Sequence, residues 1–380
     1  MKIGIVCYPT FGGSGVMATE LGMALADKGH EVHFITYNQP VRLDFLSHKL
    51  HFHQVLIEEY PLFQYQPYEL ALSSKMVYVV KTYKLDILHV HYAIPHAYAA
   101  YMAKQMLLEK GINIKVVTTL HGTDITLVGS HPTYKTAVEF SINNSDVVTA
   151  VSNSLKVTTN QLFNIHKNIE VVYNFIDTEK YDKAEHEECK REALAQPNER
   201  ILTHISNFRP VKRVEDVIKI FYEVQKEIPA KLLMIGEGPE RKKAELLAKE
   251  LGIKNSVFFL GNSTEIDKIL CYSDVFLLPS RTESFGLAAL EAMAAKTAVI
   301  STNTGGLPEV NIHGKTGYLS NLGDIEDMAK NTISILKEDA ILETFKVNAK
   351  EHAKKFSLNN ILPVYEDIYK SCYQNKISSI

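Results

Sequence analysis

The chain has 380 residues, of which 46% are hydrophobic and 22% charged. These are ordinary values for globular proteins, and the length indicates about two domains. A net charge of −3 excludes the broad positive field that drives most nucleic-acid binding, so we expect no nucleic-acid partner. No window approaches the roughly 18 apolar residues of a membrane span, so we expect no integral membrane segment. Four cysteines without a short-range pairing pattern favour a reducing, cytoplasmic compartment.

Short apolar runs alternate with segments long enough for helices, which is typical of parallel βαβ sheets. In the first half, strands are predicted over 3–8, 32–37, 87–92, 116–121 and 147–151. A helix is predicted over 14–28, with Gly29 as its C-terminal stop. In the second half, strands are predicted over 201–206, 232–235, 257–260, 275–278 and 299–301. The pattern therefore predicts two α/β domains, with the ligand site in a cleft between them.

A glycine-rich turn separates the first predicted strand from the first helix. Free backbone N–H groups at such a turn favour an anion. Gly13, Gly15 and Ala18 also match a loose dinucleotide-binding pattern, G-x-G-x-x-A. However, the next strand ends at Asn38 without the acidic residue that would bind an adenosine ribose. An anion site is favoured over NAD binding, and a purely structural tight turn remains an alternative.

Histidines surround the ends of two neighbouring predicted strands in the first half. His89, His91 and His96 lie at the first of them, where a zinc site competes with cleft-lining or core histidines. No carboxylate or cysteine at convincing spacing completes a ligand set, so we expect no metal there. Tyr92 is expected to face the cleft. His121 ends the next strand and is the best catalytic-site candidate in this half, with a structural histidine as the alternative.

A strand, loop and helix in the second half carry two glutamates, Glu283 and Glu291, in E-x7-E spacing. A helix beginning near Phe285 would direct the N–H groups of Gly286 and Leu287 at the cleft, which suits a diphosphate. The carboxylates suit sugar hydroxyls, because ionised carboxylates only accept hydrogen bonds.

This segment resembles the retaining glycosyltransferases of family four, which have the GT-B fold. Other motifs of that family follow in the expected order along the full chain, at 12–13, 121–122, 236–239, 259–261 and 305–309. The resemblance implies an α/β protein with two Rossmann-like domains facing across a cleft. Residues 1–176 would bind the acceptor and residues 177–359 the nucleotide-sugar donor. Apolar residues on one face predict a last helix over 358–372, and the resemblance implies that residues 360–380 pack back on the first domain.

Several N-terminal motifs resemble one type of family member, and they lie at 7–9, 12–16, 31–36, 89–96 and 118–126. Members of that type transfer N-acetylglucosamine from UDP to the hydroxyl of L-malate, the first step of bacillithiol biosynthesis. The resemblance therefore implies UDP-GlcNAc and L-malate as substrates. Alternatives are another small acceptor, a UDP-GlcNAc 2-epimerase and a non-catalytic nucleotide-sugar sensor. No cofactor is expected, since the chain has no Asp-x-Asp motif to recruit a metal, and a homo-oligomer is left open.

The resemblance also implies roles for individual residues. For catalysis they are Lys212, Arg209, His121 and Glu283. For the donor they are Gly13, Asn207, Arg209, Lys212, Glu283, Ser284, Phe285, Gly286, Leu287 and Glu291. For the acceptor they are Ser14, Tyr92, Thr119, His121 and Asn174. Asn207 stands where many members have an arginine, which leaves open whether Arg209 takes over its function.

Overall fold

The computed structural model describes residues 1–10, 12–43, 47–57, 64–186, 191 and 194–377, and the side chains of 183–186 and 375–377 are not described. The chain divides into two compact units. Unit 1 consists of Met1–Asn174 with Asn359–Ile380, and unit 2 is Phe175–Leu358. The first boundary lies two residues before the predicted one, and the second lies one residue before it.

Unit 1 is built on a parallel sheet with helices in the connections. Its strands are β1 (Lys2–Val6), β2 (Glu31–Thr36), β3 (Leu50–Gln54), β4 (Ile87–His91), β5 (Lys115–Leu120), β6 (Val147–Ala150) and β7 (Ile169–Val171). Its helices before the C-terminal one are α1 (Gly13–Asp27), α2 (Tyr68–Tyr83), α3 (Tyr98–Leu108), α4 (Pro132–Asn143) and α5 (Asn153–Leu162). The sheet order is β3-β2-β1-β4-β5-β6-β7.

The central strands of unit 1 read as continuous apolar runs because helices cover both faces of a parallel sheet. All five residues of β4 are buried, including two histidines. Helix α1 ends before Gly29, whose φ of 98° is the left-handed conformation typical of a helix C-terminus. The sequence pattern did not predict β3 or β7, which are short and form the two edges of the sheet.

Unit 2 repeats the same architecture with six parallel strands in the order β10-β9-β8-β11-β12-β13. The strands are β8 (Arg200–Ile205), β9 (Ala230–Ile235), β10 (Val257–Gly261), β11 (Val275–Leu278), β12 (Ala298–Thr302) and β13 (Gly317–Ser320). The helices are α6 (Thr178–His186), α7 (Val214–Gln225), α8 (Arg241–Glu250), α9 (Ile266–Leu270), α10 (Leu287–Ala294), α11 (Leu307–Val310), α12 (Ile325–Leu336) and α13 (Asp339–Ala353). A core of aliphatic and aromatic side chains from β8, β9, α7 and α12 lies on one side of this sheet.

The last helix, α14 (Leu358–Ile377), belongs to unit 1. Its Tyr369 is fully buried, and the phenol hydroxyl lies 2.7 Å from Nδ1 of His89 in β4. Glu366 accepts a hydrogen bond of 2.9 Å from Nε2 of His30. The return of the C-terminal helix to the first domain, which the resemblance implied, is confirmed. Within the described part of the chain, we find no helix with the length and apolarity needed to span a bilayer.

Candidate active site

Each sheet contains one switch point, where the order in which the chain adds strands to the sheet reverses direction. In unit 1 the point lies between β1 and β4, and in unit 2 it lies between β8 and β11. Loops leaving neighbouring strands diverge at such a point, so a crevice opens beyond the carboxyl ends of the strands. Several of the predicted site residues follow the strands at these two points.

In unit 2, an ion pair links the loops after β8 and β11. Nζ of Lys212 donates to Oε1 of Glu283, and the hydroxyl of Ser280 donates to the same oxygen at 2.9 Å. The side chains of Lys212 and Glu283 are 21% and 13% exposed, so both charges are largely removed from water. A lysine held this way is oriented before a ligand arrives, which lowers the entropic cost of using it.

His204 supports the same point from inside β8. Its Nδ1 donates to the carbonyl oxygen of Leu277 in β11, and its Nε2 lies 2.8 Å from the hydroxyl of Ser206. Burial lowers the pKa of His204 to about 4, so the ring is neutral near pH 7. A neutral imidazole adds no further charge beside Lys212.

Helix α10 begins at Leu287, two residues later than predicted. Gly286 precedes it with a φ of 98°, a conformation that side chains other than glycine rarely adopt. The first N–H groups of an α-helix have no carbonyl partner one turn back, so this end of α10 is a favourable environment for an anion. Glu291 is therefore the fifth helical residue.

A second loop supports the segment around Glu283. The N–H of Gly306 donates to the carbonyl oxygen of Glu283 at 2.8 Å. A Cβ at Gly305 would overlap that same carbonyl oxygen. The glycine pair is thus required by close backbone packing beneath the loop that carries the E-x7-E motif.

The other predicted donor residues differ in their surroundings. Asn207 and Arg209 are exposed, and Gly13 belongs to unit 1 as the first residue of α1. Phe285 is buried, with its ring 5.6 Å from that of Phe356, so its side chain forms part of the core. Only the backbone of Phe285 is therefore placed to contact a ligand, and its expected role in donor binding stays a prediction. Ser284 and Leu287 remain partly exposed beside α10.

In unit 1, two predicted acceptor residues meet across the switch point. The hydroxyls of Ser14 in α1 and Tyr92 after β4 lie 2.6 Å apart. Burial raises the pKa of Tyr92 to about 12, so its phenol stays protonated and can donate a hydrogen bond. The residues come from loops 78 positions apart, and they stand next to the N-terminus of α1.

His121 and Asp124 organise the loop after β5. Nε2 of His121 lies 2.8 Å from Nδ1 of His91, and burial lowers the pKa of His121 to about 3. The carboxylate of Asp124 accepts from the N–H groups of Ala93 at 2.8 Å and Gly122 at 3.0 Å. Burial raises the pKa of Asp124 to about 6. Asp124 was not among the predicted site residues, although an aspartate two residues after Gly122 can bond the backbone of a turn through its carboxylate.

Thr119 faces the interior of unit 1. Its hydroxyl lies 2.7 Å from Nε2 of His89 and 2.7 Å from the hydroxyl of Thr149. The Thr119 side chain is fully buried in these contacts, and its expected role in acceptor binding stays a prediction. His89 is bonded through both ring nitrogens, so it is a satisfied core histidine and not a metal ligand. Asn174 is the last residue of the first segment of unit 1, and its expected role in acceptor binding stays a prediction.

Comparisons with known proteins show the family to which this chain belongs. The model of "Glycosyltransferase Family 4" matches residues 11–180, and that of "Glycosyl transferases group 1" matches residues 185–352. The chain is 49% identical to N-acetyl-alpha-D-glucosaminyl L-malate synthase of Bacillus anthracis, over 97% of this chain and 96% of that protein. The chain belongs to glycosyltransferase family 4.

Two solved structures share the fold of this family 4 glycosyltransferase. Anabaena Alr3699/HepE in complex with UDP-glucose superposes with a TM-score of 0.80 at 20% identity, covering 100% of both chains. Sucrose-phosphate synthase from Thermosynechococcus elongatus gives a TM-score of 0.79 at 20% identity, covering 99% of this chain and 100% of that one. At this identity they establish the fold alone, which is GT-B, and the predicted fold class is confirmed.

Proposed function

We propose that this family 4 glycosyltransferase transfers N-acetylglucosamine from UDP-GlcNAc to the hydroxyl of L-malate, with the anomeric centre staying α. The observation that carries the proposal is the 49% identity, over nearly the whole chain, to a relative named for making that product. The product would be the first intermediate of bacillithiol biosynthesis.

The switch point of unit 2 has the chemistry of a nucleotide-sugar site. Lys212 supplies a positive charge, and the N-terminus of α10 supplies N–H groups and a favourable dipole. Both would stabilise the negative charge that builds up on the departing diphosphate. Glu291 would accept hydrogen bonds from the ribose hydroxyls, and Glu283 from the donor sugar, while Glu283 also orients Lys212.

Metal-independent catalysis is part of the proposal, because the chain has no Asp-x-Asp motif and the diphosphate charge can be met by Lys212 and backbone amides. The malate hydroxyl would attack C1 of the sugar on the face from which UDP departs. The C1–O bond to the diphosphate breaks, UDP leaves with the electron pair, and a diphosphate oxygen accepts the hydroxyl proton. Retention follows from attack on that face.

The switch point of unit 1 suits a small dianion. Ser14 and Tyr92 offer hydroxyls, and the N-terminus of α1 offers N–H groups that stabilise a carboxylate. His121 is neutral near pH 7 and would act through a hydrogen bond, with His91 orienting its ring. A neutral polyol would leave these donors partly unpaired, which is costly in a closed site.

The test is mass spectrometry of the products formed from UDP-GlcNAc and a panel of acceptors: L-malate, D-malate, glucose and inositol. We expect efficient transfer to L-malate, poor transfer to D-malate and almost none to the neutral compounds, since polar sites can reject an analogue that lacks their partner by about 10⁴-fold. A better neutral acceptor would overturn the malate assignment and leave the family unchanged.

Two further outcomes would point to other functions. Release of free sugar and UDP without any acceptor would indicate a 2-epimerase. Binding of UDP-GlcNAc without turnover on any hydroxy acid would indicate a sensor. A cytoplasmic location and the oligomeric state stay predictions, which fractionation and light scattering would check.

A further inference from the structure

Four side chains that neither switch point uses lie together on one face of β2 and β3. The parallel register pairs His33 with His51 and places His53 two residues further along β3. Side chains two residues apart on a strand share a face, so Glu31 lies beside His33. The imidazoles of His33 and His51 stack with their centroids 4.5 Å apart, and those of His33 and His53 are 5.2 Å apart.

The distances in this cluster match those between the ligands of a small metal ion. Oε1 of Glu31 lies 3.2 Å from Nε2 of His33 and 3.4 Å from Nε2 of His51. One ligand atom from each of the three residues lies within 4.8 Å of the others. In a tetrahedral zinc site with bonds of about 2.0 Å, neighbouring ligand atoms are about 3.3 Å apart.

We propose that Glu31, His33 and His51 form a divalent transition-metal site suited to Zn²⁺. Two imidazoles and one carboxylate are ligands that zinc prefers, and three protein ligands leave the fourth tetrahedral position for water. The side chains of Glu31 and His51 are 31% and 33% exposed, so an ion can enter from solvent, whereas His33 is fully buried and anchors the site.

His53 and Tyr83 complete the surroundings of the site. Nδ1 of His33 lies 2.9 Å from Nε2 of His53, so an N–H on Nδ1 can donate to His53 and leave Nε2 of His33 free to bind metal. The Tyr83 ring lies 4.7 Å from that of His33 and 4.9 Å from that of His53, which restricts both rings.

The positively charged side chain of Lys2 lies beside the proposed metal site. Its Nζ lies 3.0 Å from Oε2 of Glu31, so the carboxylate would offer the metal only Oε1. The Lys2 side chain is 42% exposed, and solvent screening weakens its repulsion of an ion.

The proposed metal site lies away from the transfer chemistry. Glu31 begins β2, and Leu50 begins β3 just before His51, whereas Ser14 and Tyr92 follow the carboxyl ends of β1 and β4. Since β3 is an edge strand, a bound ion would tie that edge to the rest of the sheet. The proposal therefore stands independently of the proposed function.

The test uses the full-length, tag-free chain after EDTA treatment and dialysis. Calorimetry with Zn²⁺ should give one ion per chain, and Co²⁺ should give the intense visible absorption of a four-coordinate ion. His51→Ala and Glu31→Gln should each weaken Zn²⁺ binding at least about tenfold, the smallest loss usually seen even for supporting residues. His48→Ala removes an exposed histidine three residues from His51 and should change nothing.

Three results would overturn the proposal. They are the absence of saturable Zn²⁺ binding, a six-coordinate Co²⁺ spectrum, and binding that His51→Ala and Glu31→Gln leave intact. Circular dichroism establishes that each variant is folded. If His51→Ala does not fold, Zn²⁺ binding by Glu31→Gln alone tests the proposal, because this substitution keeps the size of the side chain and removes its charge.

Discussion

Replacing Lys212 by alanine tests the donor side of the site most directly. The change removes the ammonium group that donates to Glu283, and it leaves that carboxylate with the Ser280 hydroxyl at 2.9 Å. Two effects follow, one on the transition state and one on the fold. They can be separated, because only the first requires the nucleotide sugar.

The transition-state effect should dominate. Loss of one preorganised group that stabilises developing negative charge costs about 2.7–4 kcal/mol, or roughly 10²–10³ in kcat. The effect on stability should be smaller, about 1–3 kcal/mol, because Glu283 is 13% exposed and keeps one hydrogen-bond donor. For a unit of this size that corresponds to a shift in Tm of roughly 2–4 °C per kcal/mol.

The assay is steady-state turnover with UDP-GlcNAc and L-malate, with Lys219→Ala as the control. Lys219 is an exposed lysine of α7, and its removal should leave kcat unchanged. A double variant, Lys212→Ala with Glu283→Gln, distinguishes direct action of Lys212 from action through its partner. If the double variant regains the kcat of Glu283→Gln alone, Lys212 acts only by neutralising Glu283 and the reasoning fails. An unchanged kcat in Lys212→Ala would refute it outright.

Three further predictions concern metal, acceptor and pH. Turnover should survive EDTA, and a loss that magnesium or manganese reverses would show that the leaving group needs an ion. Ser14→Ala and Tyr92→Phe should each raise KM for malate about tenfold, because each change leaves the other hydroxyl without its hydrogen-bond partner. Calorimetry should show that the affinity for UDP is unchanged. Burial lowers the pKa of His89 to about 3, below its unfolded value, so its contribution to stability is present above pH 6.5 and is lost as pH falls toward 3. Between pH 6.5 and 3, the free energy of unfolding measured with denaturant should therefore fall less steeply in His89→Gln, by about 1.4 kcal/mol per pH unit. Parallel pH profiles for the two proteins would contradict this prediction.

Local pattern predicted much of the fold because each of its signals lies within a short stretch of chain. Apolar runs that alternate with helical intervals indicated two parallel sheets, and the predicted helix over 14–28 matches α1 to within one residue. The short edge strand β3 was missed, since alternating histidines and apolar residues over five positions are a weak strand signal.

For the candidate site, the sequence predicted the loops that lie at the switch points, but it did not predict the direction of every side chain. Phe285 and Thr119 were expected to bind ligands, but their side chains are buried in the interior of the protein. Asp124 and His204 were overlooked, and both connect neighbouring loops or strands at the switch points. Whether a side chain points to solvent or to the core depends on how the loops close, and the motif does not carry that information.

The sequence alone therefore determined the alternating architecture, the family, and the loops that carry the glycines and glutamates, because these depend on local spacing. Only the tertiary structure decided which residues meet. Lys212 reaches Glu283 across 71 positions, and Ser14 reaches Tyr92 across 78, because sheet order places β8 beside β11 and β1 beside β4. The pairing of β2 with β3 likewise brings His33 to His51. Strand order and register arise from packing over the whole sheet, so no short segment encodes them.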